Sequence, residues 1–263
     1  MSGRGLLIAS VVLGFITTAA ATATTTAVAV PSAAKVEDTM AQRVQACTGC
    51  HGPQGRAASD GYYPRIAGKP AGYLYNQLIA FRDGRRQYGL MNQLLAPLSD
   101  AYLGEIAQHF AGLDLAYPKP QVATANVDTL SRGEVLVLRG DAARGVPACV
   151  QCHGEALLGV APAVPALIGL PRDYLNAQLG AWRVGNRQAL GPDCMAQIAK
   201  ALAPQDIGAL SQWLAAQPVP AGAKAAAGPP AGARGASTAR PVIRCGSMPV
   251  PVATAPASSG LKR

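Results

Sequence analysis

The pentapeptide Cys47-Thr48-Gly49-Cys50-His51 returns as Cys149-Val150-Gln151-Cys152-His153. Two thiols separated by two residues, with an imidazole beside the second, form the attachment pattern of a c-type haem. The sulfurs add across the porphyrin vinyl groups as thioethers, and the histidine ligates the iron from one side. An iron that shuttles electrons takes a methionine thioether on the other side. Met91 stands 40 residues after His51, and Met195 stands 42 after His153. The spacing predicts two covalently bound haem c groups. Cys47, Cys50, His51 and Met91 serve the first, and Cys149, Cys152, His153 and Met195 serve the second. Met40 and Met248 have no paired counterpart. His109, the one histidine outside the motifs, aligns with Trp213 and reads as a packing or surface residue.

Ligands so far apart in sequence need a scaffold, and the scaffold is written twice. The segment Tyr73 to Arg86 aligns with Tyr174 to Arg187 at an offset of 101 residues, with 8 of 14 positions identical. Pro64-Arg65-Ile66-Ala67-Gly68 aligns with Pro165-Ala166-Leu167-Ile168-Gly169, and a leucine follows each methionine by seven, at Leu98 and Leu202. A period near 100 residues means duplicated domains, because solenoid repeats run only about 20 to 50 residues. Leu74, Leu78 and Phe81 fall on one helical face, as do Leu175, Leu179 and Trp182. Gly84 reads as a C-terminal cap, and Asp38 or Thr39 and Ser99 as N-caps. A helix is expected over about 128–138, and Pro204 opens a last one carrying Ile207, Leu210 and Trp213. No alternating strand pattern of any length appears, so the expected class is all-α. A thioredoxin-like site would need a βαβ context. Neither that nor half a zinc site explains the order His-then-Met.

Residues 1–23 read as an export signal: Arg4, a short apolar run over Gly5 to Ile16, then small residues offering cleavage sites. A membrane span would need about 20 apolar residues. The first haem domain is expected over 24–120 and the second over 121–217. From 218 to 263 the chain turns to Pro, Ala, Gly and Ser, a composition expected to leave it mostly disordered. That tail carries 6 basic residues and no acidic one, whereas 24–118 and 119–217 each carry 8 basic and 7 acidic. Of the net charge of +9, the tail therefore carries +6, and this gives no licence to invoke nucleic acid. It allows docking to an acidic redox partner, peripheral association with anionic lipid, or a merely solvated spacer. Arg82, Arg86, Arg183 and Arg187 recur in both copies, either as partners for haem propionates or as solvated helix ends. Tyr73 and Tyr174 carry the same two readings, donation to a propionate or packing. Of six cysteines, four are taken by the motifs. In an oxidising compartment Cys194 and Cys245 are expected to pair, tying the tail back over the second haem. Two free thiols or an intermolecular bridge are the alternatives.

Taken together, the two Cys-x-x-Cys-His motifs, the Pro-x-x-x-Gly segments, the Tyr-Leu-x-x-Gln-Leu helix ending in Arg-x-Gly-x-Arg and the later methionine resemble a diheme class I cytochrome c of the cytochrome c4 kind. The likeness covers roughly residues 35 to 217. It implies two tandem class I cytochrome c domains, each wrapped around one haem and related by a pseudo-twofold axis. It also implies that each motif histidine donates its free ring N–H to a proline carbonyl, at Pro64 and Pro165. The function implied is a periplasmic electron carrier, not an enzyme. Such a carrier takes electrons from a quinol-oxidising complex or a dehydrogenase and passes them to a terminal oxidase or another acceptor. The alternative is the cytochrome subunit of a larger dehydrogenase or oxidase complex.

Overall fold

A threonine starts the first helix: the Thr39 hydroxyl accepts from the Gln42 N–H at 3.3 Å. The computed structural model describes residues 37–58, 61–228 and 245–246. The expected export signal and most of the tail lie outside those residues. In the first half, α1 (Met40–Arg43) breaks at Val44 and resumes as α2 (Gln45–His51), so the haem motif ends a helix on its histidine. Then come α3 (Ala71–Arg82), α4 (Gly89–Leu95), which carries Met91, and α5 (Asp100–Ala111), whose N-cap is Ser99. The second half follows the same order with α6 (Val127–Leu138), capped by Asn126, and α7 (Val150–His153). It ends with α8 (Arg172–Arg183), α9 (Cys194–Ala201), which carries Met195, and α10 (Pro204–Ala215). Between α7 and α8 a two-residue antiparallel ladder joins β1 (Gly159–Val160) to β2 (Val164–Pro165). The sequence pattern did not announce it, and it is too short to alter the all-α class.

Each half closes around its own apolar cluster. Leu74 and Phe81 of α3 meet Leu103, Ile106 and Phe110 of α5, with Val44 beneath the α1–α2 break. In the second half Leu136 and Val137 of α6 meet Leu175 and Leu179 of α8 and Ile207, Leu210 and Leu214 of α10. The α6–α10 crossing is close because Gly133 has no side chain. A Cβ there would lie 2.7 Å from the Ala209 carbonyl carbon, a separation that packed atoms do not tolerate. Gly84 and its counterpart Gly185 end α3 and α8 with φ of 74° and 81°, the left-handed region where glycine costs least.

Residues 139–149 separate α6 from α7, where only Val44 separates α1 from α2, and this inserted loop of the second half is held by ions. Asp206, near the start of α10, faces Arg132 at 2.9 Å and Arg144 at 2.6 Å, and both arginines also reach Asp141. The first described residues of the tail are held as well. Ala226 pairs in parallel beside β1, accepting from the Ala161 N–H at 2.8 Å and donating to Gly159 at 2.9 Å. Cys194 and Cys245 are joined in a disulfide, as cysteine parity predicted.

Candidate haem sites

Because each motif forms a helix end, its histidine projects from the last turn into the half it belongs to. His51 and His153 are both buried. The Nδ1–H of His51 donates to the carbonyl of Pro64 at 2.8 Å, and that of His153 donates to Pro165, also at 2.8 Å. A carbonyl only accepts, so each Nδ1 carries the proton and each Nε2 is left as a neutral donor atom for a metal. Burial lowers both histidine pKa values, and the proline carbonyls oppose that only in part. Both rings are therefore neutral at physiological pH. Cys47 and Cys149 are half-buried, and Cys50 and Cys152 are exposed. Burial raises the thiol pKa of Cys47 and Cys152, and pushes Cys149 up to about 11.

Met91 is half-buried against the same cluster that receives Cys47, and Met195 against the cluster that receives Cys149. The structure thus assigns each methionine to the half that holds its motif. His109 stacks edge-on against Phe110 with ring centroids 5.2 Å apart, in keeping with a packing residue.

The four repeated arginines divide into two kinds. Arg82 and Arg183 clamp helix ends, Arg82 donating to the Leu98 carbonyl at 3.1 Å and Arg183 to those of Leu202 and, at 3.1 Å, Ala199. Arg86 and Arg187 are 9% and 4% exposed and lie where the halves meet. Arg86 donates to Gln77 of its own half at 2.8 Å and crosses to Tyr174 and Gln178 at 3.3 and 2.6 Å. Arg187 returns the pattern, to Gln178 at 2.8 Å and across to Tyr73 and Gln77 at 3.2 and 2.9 Å. The Gln87 N–H donates to Asn186 and the Gln188 N–H to Arg85, each at 2.7 Å. Equal contacts exchanged in both directions define a pseudo-twofold contact. Its residues could have been flagged from the repeat, because Gln77 and Gln178 are identical across the copies with no local task.

Lys69 joins these arginines, 7% exposed with its Nζ 5.9 Å from the Tyr73 ring centroid. Burial lowers the pKa of Lys69 and of Arg187, and among the described residues the charges that act most on them are other cations and tyrosines. Three buried cations without a carboxylate among the described residues form an unfavourable arrangement by themselves, since each desolvated ion costs several kcal/mol. A group bearing carboxylates would neutralise them, and a haem brings two propionates. The Trp182 indole N–H is also buried without an acceptor among the described residues, beside Arg187, whose guanidinium carbon is 3.7 Å from the ring centroid. In the first half Arg86 lies over Phe81 in the same way, at 4.4 Å. The donor set and the uncompensated charge both fit haem c. Sequence reasoning weighed Arg86 and Arg187 for this task but passed over Lys69, whose type reads as surface.

Comparison with known proteins gives the same class. The thiosulfate dehydrogenase electron acceptor of Thiomonas intermedia is 38% identical over 176 residues, which is 66% of this chain and 79% of that protein. Cytochrome c4 of Pseudomonas aeruginosa is 35% identical over 170 residues, 64% of this chain and 82% of the relative. Among solved structures, reduced recombinant cytochrome c4 from Pseudomonas stutzeri superimposes with a TM-score of 0.58 at 29% identity, covering 67% of this chain and 95% of that one. The thiosulfate dehydrogenase (TsdBA) from Marichromatium purpuratum gives a TM-score of 0.59 at 30% identity, covering 65% of this chain. The chain spans only 36% of that longer protein. No family model matches. The repeated helical fold, the paired candidate sites and these relatives define a diheme class I c-type cytochrome, and the chain belongs to the cytochrome c4 family. It is an electron carrier with two covalent haem c groups.

Proposed function

We propose that Cys47 and Cys50 bind the first haem as thioethers with His51 and Met91 as axial ligands, and that Cys149, Cys152, His153 and Met195 bind the second in the same way. The observation that carries this reading is the matched hydrogen bond, 2.8 Å in each half, from a motif histidine to a proline carbonyl. It fixes the tautomer, the ring orientation and the basicity of the free nitrogen, as an outer-shell partner of a metal ligand does. When bound, the haem supplies one-electron iron chemistry. The chain's part would be to hold it through the two thioethers, the histidine and the methionine of each half and to neutralise its propionates through Arg86, Arg187 and Lys69. With a histidine and a methionine both bound to each iron, the protein would exchange electrons and turn over no substrate. In the oxidised protein the sulfur-to-ferric charge-transfer band in the near infrared falls by about half in Met91→Ala and in Met195→Ala, since each half contributes one His/Met pair. An unchanged band in either variant refutes the ligand for that half.

The electron donor we propose is a thiosulfate-oxidising dehydrogenase, with a terminal oxidase as acceptor. Two relatives at 38% identity carry the name thiosulfate dehydrogenase electron acceptor and support this choice over a quinol-oxidising complex. Stopped-flow mixing of the oxidised protein with thiosulfate and a thiosulfate dehydrogenase tests it. Reduction within seconds is expected, and reduction only by the quinol-oxidising complex refutes it. A second reading, a cytochrome subunit of a larger complex, is favoured by the likeness to part of the Marichromatium protein, and co-purification of the native protein tests it. The exported reading places this chemistry in the periplasm. No helix among the described residues is long and apolar enough to cross a membrane. Mass spectrometry of the native N-terminus checks the expected cleavage.

A further inference from the structure

We infer that the Cys194–Cys245 disulfide fastens the second methionine loop in place of a side chain that only the first loop possesses, so that a dithiol loosens methionine ligation at the second haem alone. This rests on the proposed role of Met195.

The two loops are fixed by different means. Asn92 follows Met91 directly, and its side-chain oxygen accepts from the Tyr88 N–H at 2.8 Å. Its amide donates to the carbonyl of Phe81 and, at 3.0 Å, to that of Arg86. One residue therefore ties α4 to the end of α3 and to the turn beyond it. In the second half the residue after Met195 is Ala196, whose side chain has neither donor nor acceptor. Among the described residues no side chain of α9 reaches the carbonyls of Trp182 or Arg187, the counterparts of Phe81 and Arg86.

Asp193 supplies only local order. It accepts from the Ala189 N–H at 2.6 Å and from the Ala196 N–H at 3.0 Å, so it fastens the loop to itself. Arg183 of α8 clamps the far end of α9, as Arg82 clamps the Leu98 carbonyl in the first half, but at the methionine end the external tie comes from the tail. Cys245 bonds Cys194, the residue before Met195, and the Gly246 N–H donates to Pro192 at 3.0 Å. Gly246 sits so close on the Gly191 carbonyl that a Cβ there would collide. The same tail is anchored through Ala226 to Gly159 and Ala161, six and eight positions past His153. It thus grips the second half both behind the motif and in front of the methionine.

A dithiol opens this tie by exchange. Its thiolate attacks one sulfur of the pair, the Cys194–Cys245 bond breaks, and the second thiol closes the reductant's own disulfide. Two electrons and two protons end on Cys194 and Cys245. The motif cysteines, held as thioethers in the holoprotein, take no part.

The test compares the holoprotein with its Cys194→Ser/Cys245→Ser variant and with the holoprotein incubated with dithiothreitol, all in the ferrous state under carbon monoxide. The wild type is expected to bind none within minutes, and the double variant and the dithiol-treated protein about one per chain, since one loop of two is loosened. Adding Ala196→Asn to the double variant installs the first half's fastening and should restore the closed state. Asn92→Ala should open the first haem with no thiol dependence. Amide hydrogen exchange over residues 189–196 reads the loop without reference to the iron and should quicken about tenfold or more in the double variant. A double variant that stays inert to carbon monoxide with unchanged exchange overturns the inference while leaving the ligand assignment intact. An unaltered near-infrared band in Met195→Ala overturns both.

Discussion

Replacing Asp206 with asparagine isolates the ion cluster that holds the inserted loop against α10. The carboxylate is 9% exposed and faces Arg132 and Arg144, whose side chains are 40% and 34% exposed. Hydrogen bonds to charged groups are worth about 1.5–3 kcal/mol when sheltered, and exposed pairs about 0.2–1 kcal/mol. With one partner buried and the other partly wet, each bond lies near 1 kcal/mol. The Ala203 N–H also donates to Asp206 at 3.3 Å, placing negative charge in the first turn of α10, where the helix dipole adds a few tenths of a kcal/mol. Asparagine keeps one acceptor and loses the charge, leaving Arg132 and Arg144 to share Asp141. The expected loss is about 2 kcal/mol, or about 4–8 °C in Tm for a chain of this size. The sign with pH is fixed. Burial alone would raise the Asp206 pKa, but the two arginines outweigh it and hold the carboxyl below its ordinary value. A depressed carboxyl contributes stability above its unfolded pKa, and that contribution is lost as pH falls through the folded one. Thermal unfolding of both oxidised holoproteins should therefore show the full gap at neutral pH and a closing gap below about pH 4. A gap that persists undiminished in acid, or none at neutrality, refutes the reasoning.

Gly133→Ala drives a methyl group against the Ala209 carbonyl and should cost about 1–3 kcal/mol by overpacking the α6–α10 crossing. Gly180→Ala, at a position on α8 with open space around its Cβ, should be neutral or stabilising by up to about 1 kcal/mol; urea denaturation of the two variants reads the contrast. Arg187→Gln removes a buried positive charge bonded to side chains of both halves, which favours the ferric state at both haems. Both midpoint potentials should fall together, by on the order of 1 kcal/mol of electron affinity each. Protein-film voltammetry showing a fall confined to one haem, or a rise, would contradict the placement of Arg187 between the two.

Covalent and capping chemistry made much of this molecule legible from its sequence. Cys-x-x-Cys-His needs only five residues to state its purpose, and Thr39, Ser99 and Pro204 mark helix starts through groups that act within one turn. Features set by long-range contact were not legible. The break at Val44 places a side chain buried to 2% exposure, and local propensity does not signal it. The four repeated arginines look equivalent in sequence, yet Arg82 and Arg183 precede the glycines at 84 and 185 while Arg86 and Arg187 follow them. The left-handed turn at each glycine reverses the chain, so the earlier pair stays on its own helix end and the later pair meets across the twofold. Lys69 shows the same limit more sharply, because nothing adjacent to it in sequence requires burial.

Duplication carries a further consequence. Two copies of one domain begin with equal ligands and equal fastenings, and any difference between them must be traceable to particular residues. Here the proposed ligand sets and the proline acceptors stay matched, while the methionine loops do not. Asn92 holds one with three hydrogen bonds, and Asp193 with a disulfide to the tail holds the other. A hydrogen bond re-forms in nanoseconds to microseconds after thermal opening, whereas a disulfide changes only by exchange with another thiol. On the ligand sets proposed above, the two haems share one coordination chemistry but answer to different agents, and the second alone is exposed to the thiol status of its compartment.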